Sequence, residues 1–201
     1  MTITTRTTEL EAVNTILSTI GEAPLNTLTG TLPVDGTVAL NILSEITREV
    51  QSAGWHFNTH YKVTLSKDVN NKIPLATNIL RLELDNNRYS KVQYDIVQRD
   101  NFLYNLAKNQ ETFDTSFEDV IIVYLLPFNE IPEQAKRYIT IRSARVFHDR
   151  TLGASSLHKF STEDEARALI VLKQAEATTG DYSIFDSPDQ AYTITRNNRV
   201  Y

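Results

Sequence analysis

The sequence predicts an α+β fold on three observations. Apolar residues recur at steps of three and four toward both ends of the chain, the period changes to two in between, and turn residues mark the boundaries. Thr8, with Glu11 three residues on, fits a capping box, and Leu10, Val13, Ile16, Leu17 and Ile20 trace the stripe of a first helix ending at Gly21. Pro24, Gly30, Pro33 and Gly36 punctuate a loop to a second helix, so the two are expected to pair as a hairpin. In the second helix Ala39, Ile42, Leu43, Ile46, Val50 and Ala53 share one face. Asp35 is the expected N-cap and Gly54 the expected C-terminal cap. Trp55-His56-Phe57-Asn58-Thr59 follows at once and places two large rings where the helical layer must meet the strands, as a junction that fixes one against the other.

From Tyr61 the pattern alternates: Tyr61, Val63 and Leu65 are separated by Lys62 and Thr64. Ile79 to Leu84 and Tyr89 to Val97 are further expected strands, joined through the turn-forming runs KDVNNK and DNNR. Asn101 to Phe117 reads as irregular, and Val120 to Leu126 as a buried β-branched strand stopped by Pro127. Pro132 opens a third helix running to about Arg150, with Gly153 beyond it. Its apolar residues Tyr138, Ile139, Ile141, Ala144, Val146 and Phe147 spread around most of the wheel, interleaved with Arg137, Arg142 and Arg145. That leaves no broad solvated face, which is easier to satisfy where one face meets the subunit core and another meets a neighbour. Ser161, with Asp164, is expected to start the last helix, which ends near Gly180. Residues 181–201 alternate Tyr, Ile and Phe with polar residues and read as an extended arm.

Composition narrows the function. At 201 residues the chain can bury roughly 70% of its unfolded surface. A net charge of −5 gives no overall pull toward phosphate backbones or anionic lipid. The absence of cysteine excludes disulfides, thiolate metal sites and cysteine nucleophiles. MTITTRTTELEAV has no signal-peptide core, and no uncharged apolar run is long enough to span a bilayer, so the protein is expected to be made and kept in the cytoplasm, or released only by lysis.

No catalytic, cofactor-binding or metal-ligating set emerges. His56 and His60 are four apart, but they follow a helix-ending glycine and have no third ligand, so junction packing is the better reading. Glu118 with Asp119, or the run Glu163-Asp164-Glu165, offers carboxylate pairs for a polysaccharide hydrolase. The second group sits in a first helical turn, where the dipole favours acids. Neither G-x-S-x-G nor G-x-x-x-x-G-K is present. Arg137, Arg142, Arg145 and Arg150 are dispersed around their helix, which suits pairing with Asp and Glu between subunits better than a nucleic-acid face. The candidate interface residues are therefore Tyr138, Arg142, Arg145 and Phe147, with Tyr182, Ile184 and Phe185 on the arm. Arg145→Glu is expected to impair assembly more than folding.

Three motifs in register carry a resemblance: Val13-Asn14-Thr15-Ile16-Leu17 with Ile20-Gly21-Glu22-Ala23-Pro24-Leu25, then Gly54-Trp55-His56-Phe57-Asn58-Thr59, then Leu126-Pro127-Phe128-Asn129-Glu130-Ile131-Pro132-Glu133 with Tyr138-Ile139. From Thr8 to about Phe185 the chain resembles the tail tubular protein A family of short-tailed bacteriophages (podovirus type). It departs after Arg99, where that pattern has a glycine and Leu-Tyr-Asp; here stand Asn101 and Leu103-Tyr104-Asn105. The resemblance implies that helices from both ends, 1–58 and 128–180, form one bundle, with a small antiparallel β region, 59–127, inserted and an arm at 181–201. It implies a structural protein of the virion tail without cofactor. The expected assembly is a homo-oligomeric, dodecameric adaptor ring between the portal protein of the head and a tail nozzle of tail tubular protein B type, with tail fibres attached and viral DNA passing through the lumen. An acidic subunit suits such a channel, because a basic lumen would hold the phosphates.

Overall fold

The computed structural model describes residues 5–86, 88–151 and 155–180, with side chains of the last helix described for 162–179. Helix α1 (Glu9–Ser18) starts on the expected capping box: the Thr8 hydroxyl accepts from the Glu11 N–H at 3.2 Å, and the Glu11 carboxylate accepts from the Thr8 N–H at 2.7 Å. Helix α2 (Val34–Ser52) begins one residue before the expected cap. Pro33, with φ −55°, precedes it, and the Pro33 carbonyl accepts from Thr37 N–H at 3.0 Å, so Asp35 lies inside the first turn instead of capping it. The acid still faces the positive end of the helix dipole. Gly54, at φ +79°, takes the left-handed step after α2 that its position predicted.

A 3₁₀ turn at His56–Asn58 leads into β1 (Thr59–Leu65), which starts two residues earlier than expected. With β2 (Ile79–Glu83) and β5 (Phe117–Tyr124) it forms an antiparallel sheet in the order β1-β5-β2. The β1–β5 register runs from Thr59 opposite Val123 to Leu65 opposite Phe117 and shifts around Lys62 and Asp119, each at φ 58°.

Two strand expectations are corrected. Ser90 to Tyr94 is a turn, its carbonyl at Ser90 accepting from both Gln93 and Tyr94, and β3 begins only at Ile96 (Ile96–Arg99). The reason is spacing: Tyr89 and Tyr94, five apart, both lie edge-on to Phe117, at 5.0 and 5.1 Å between ring centres, while Val92 between them is 90% exposed. The stretch read as irregular contains β4 (Phe102–Asn105), paired with β3 through a turn in which Asp100 has φ 50°. Asn105 is fully buried; its amide donates to the Gln93 carbonyl at 2.9 Å and its oxygen accepts from Ala107 N–H at 3.0 Å. An aspartate could supply only the second bond.

A second 3₁₀ turn (Phe128–Glu130) precedes α3 (Glu133–Thr151). Helix α4 runs from Ser155 to Gly180, so Ser161 lies inside it rather than at its start; no proline or glycine interrupts 155–179. Two hydrophobic clusters result. One gathers all four helices around Ile16, Leu17, Leu43, Ile46, Ile139, Phe147 and Leu172. The other centres on Phe117 and joins Leu65, Ile73, Leu103, Phe113 and Ile122 of the strand region. The expected arm at 181–201 lies outside the described residues.

Candidate assembly interface

Helix α3 is the centre of the helical part. From Tyr138 to Asp149 every residue is buried or half-buried, as the spread of apolar residues around its wheel foretold. The covering comes from α1, α2 and α4 of the same chain, so the all-round apolar character is accounted for without a neighbour. Tyr138 is 5% exposed and Phe147 fully buried in this cluster.

The arginines of α3 find their acids on this chain too. Arg142 donates to Glu49 of α2 at 2.5 Å, to Glu165 of α4 at 3.0 Å and to the Tyr138 hydroxyl at 3.1 Å. Burial works against its charge, yet Tyr138, Glu49 and Glu165 together lift its pKa above the ordinary arginine value. Arg145 pairs with the other Glu165 oxygen and with Asp149 at 3.0 Å, and the Glu165 hydrogen bond likewise raises it against the cost of burial. Arg150 forks onto both oxygens of Glu45 at 2.9 Å each. That hydrogen bond holds the Glu45 carboxyl below the usual carboxylate range. One carboxylate, Glu165, thus bridges two arginines and fixes α4 on α3, while Glu45 and Glu49 do the same for α2. Arg137 is exposed. Tyr182, Ile184 and Phe185 lie outside the described residues.

Several residues that hold the site escaped sequence reasoning. Gln51, fully buried, donates to the Leu126 carbonyl and accepts from Leu126 N–H, both at 2.9 Å. Its side chain acts as one more strand rung, tying α2 to the exit of β5. Asn58, also fully buried, donates to the carbonyls of Gln51 at 2.9 Å and Tyr124 at 2.8 Å and accepts from Trp55 N–H at 2.8 Å. The Trp55 indole donates to the Val50 carbonyl at 2.7 Å. Asn14 repeats the device in α1, exchanging two bonds with the Leu25 backbone at 3.0 and 2.7 Å. The buried Lys136 ammonium donates to the Thr7 carbonyl at 2.9 Å and draws the N-terminal segment onto α3. The signal available in the sequence was a polar amide beside an apolar stripe, at Asn14, Gln51 and Asn58. Asn14 and Asn58 belong to the first and second motifs on which the resemblance stands, and Gln51 bonds to Leu126, the first residue of the third.

The remaining polar candidates have other occupations. His60 lies edge-on to Tyr124, 4.9 Å between ring centres, and the His56 N–H donates to Glu176 of α4 at 2.6 Å. Among the described residues no three His, Asp or Glu side chains are grouped as a metal cage. Glu118 and Asp119 both hold Arg88. Among the described residues, no helix is long and apolar enough to cross a membrane.

A sequence model of the family described as "Tail tubular protein" matches residues 10–182 of the chain. No curated protein matches it.

Proposed function

Because the chain belongs to the tail tubular protein family, structural components of phage tails, we propose that it forms the adaptor ring between the portal vertex of the head and the tail nozzle. Its partners are further copies of itself, most simply twelve in a closed ring, then the portal protein above, the nozzle protein below and the tail fibres at the side. Viral DNA crosses the lumen without sequence-specific contact during ejection, and the net charge of −5 keeps the passage from holding phosphates. The protein's work is geometric and needs no catalytic group.

The observation that carries this reading, beside the family match, is the locked junction. An adaptor must transmit position from one interface to another, so its two hydrophobic clusters have to keep a fixed relation. Gln51 and Asn58 do that with five hydrogen bonds into backbone groups at the exit of β5 and the end of α2. In the ring, Arg142 and Arg145 seat α4 on α3, Tyr138 and Phe147 fill the layer beneath, and Tyr182, Ile184 and Phe185 of the last segment reach an adjoining subunit or the portal.

Light scattering of the purified chain, alone and with the portal protein, tests the reading. A closed oligomer in either sample supports it and separates self-assembly from assembly on a template. A monomer that ignores the portal refutes it and sends the protein to an assay for reducing sugar release from surface polysaccharide.

A further inference from the structure

We propose that residues 5–7 form a strap that opens on its own, at far lower cost than global unfolding, and in opening uncovers the Lys136 ammonium in the first turn of α3. The strap is held at one residue. Thr7 donates its N–H to Glu133 Oε2 at 3.2 Å and its hydroxyl to Glu133 Oε1, and its carbonyl accepts from Lys136 Nζ at 2.9 Å. Thr5 and Arg6 are exposed and enter no hydrogen bond or ion pair among the described residues. Lys136 is 1% exposed, so an ammonium with three donors sits out of water against the Thr7 carbonyl and the Phe128 ring, whose centre is 5.7 Å away. Glu133 stands one helical turn before Lys136, the spacing at which the two could pair, but its carboxylate is taken by Thr7, and Glu11 gives its own to Thr8. A buried cation that lacks a carboxylate is costly. Water relieves that cost when the strap lifts, and Glu133 and Lys136 become free to pair with each other.

The helix behind the strap stays in place as it opens. The capping box joins Thr8 to Glu11 inside α1, and the Ala12 N–H donates to the Thr8 carbonyl at 3.0 Å, so the chain is fixed from Thr8 onward without help from Thr7. The Glu9 N–H bond to Asn129 at 3.3 Å and the burial of Ala12, Val13 and Ile16 in the helical cluster hold that end of α1 on the protein. The swing is therefore confined to the polar residues ahead of the cap, Thr5, Arg6 and Thr7. With so little apolar surface at stake, such an opening belongs to the low end of local stabilities. The strap keeps the cation and the Phe128 face off the surface while it is closed and offers them when it is not.

Amine acylation reads the opening. The full chain is treated with N-hydroxysuccinimidyl acetate at mildly alkaline pH, and modification of Lys136 is followed by mass spectrometry against that of the exposed Lys62. Lys136 is expected to react on the order of a hundredfold more slowly than Lys62. Urea below the unfolding transition should leave that rate unchanged, because a local opening exposes too little surface to respond. Thr7→Val, which removes the hydroxyl donor and keeps the shape, should speed the reaction about tenfold at unchanged Tm, and Glu133→Gln, which removes the charge from the acceptor, by a similar factor. Gly54→Ala, which lowers global stability from outside the strap, should leave the rate as it was. A Lys136 that reacts only as the whole chain unfolds, at a rate that climbs with urea and with Gly54→Ala, overturns the proposal. So does one that reacts as fast as Lys62, which means that the strap is never closed. The rate is read on the purified chain, so its outcome stands apart from that of the ring reading.

Discussion

Asn58→Ala removes the hub of the junction at a position with no solvent to replace it. Three backbone groups lose a partner: the Trp55 N–H, the Gln51 carbonyl and the Tyr124 carbonyl. An unsatisfied buried group costs about 1–3 kcal/mol, which would sum to as much as about 9. The sum is too high, because the Gln51 carbonyl keeps a bond from Gly54 N–H at 3.1 Å and the small cavity lets the turn relax. A loss of about 3–4 kcal/mol is expected, a large part of the stability of a domain this size, with a fall in Tm of roughly 10 °C. Urea unfolding followed by Trp55 fluorescence reads both this and the junction, since the indole lies on the same turn. Asn70→Ala, at an exposed loop position, is the control and should change stability by no more than about 0.5 kcal/mol. A loss below about 1 kcal/mol for Asn58→Ala would refute the view that this amide locks strands to helices.

Further expectations follow from the same geometry. Arg145→Glu brings a third acid against Glu165 and Asp149, so the same-chain partners predict a loss of monomer stability of roughly 2–3 kcal/mol, measured by thermal melting at a concentration where the chain is monomeric; an unchanged Tm with a lost ring would restore the sequence expectation that Arg145 acts between subunits. Gly54→Ala forces φ +79° on a residue with a Cβ, 2.8 Å from the Arg81 guanidinium and 3.2 Å from Val123, and should cost about 1–2 kcal/mol in urea unfolding. Acid should destabilise the fold. The backbone and hydroxyl bonds with Thr8 lower the Glu11 pKa, and Arg150 lowers that of Glu45, so both contribute fully above the unfolded carboxylate value of about 4 and lose that contribution as pH falls through their folded values. The urea midpoint should hold between about pH 7 and 5 and drop below about 4, with a smaller drop in Glu11→Gln.

Much of this architecture was readable because it follows from near neighbours along the chain. Thr8 and Glu11 are three apart, so their capping box is a local event, and the stripe from Ala39 to Val50 needs only helical periodicity. Where distant residues compete, local reading failed. Tyr89 to Tyr94 has strand-forming residues, but Phe117, over twenty residues on, draws both rings to one side and bends the segment into a turn. Asp35 is a good cap in isolation, yet Pro33 had already set the backbone.

The sequence by itself determined the α+β class, the first capping box, the glycine that ends the second helix, the enclosed character of the third helix and the family. Each rests on period, on backbone dihedral preference, or on a motif contiguous in the chain. Only the tertiary structure decided who satisfies whom: that α3 is covered by its own chain, that Glu165 serves both Arg142 and Arg145, and that Gln51 reaches Leu126. Those pairings span 20 to 75 positions, and a side chain's partner at such separations is set by packing of whole elements, which no local pattern encodes.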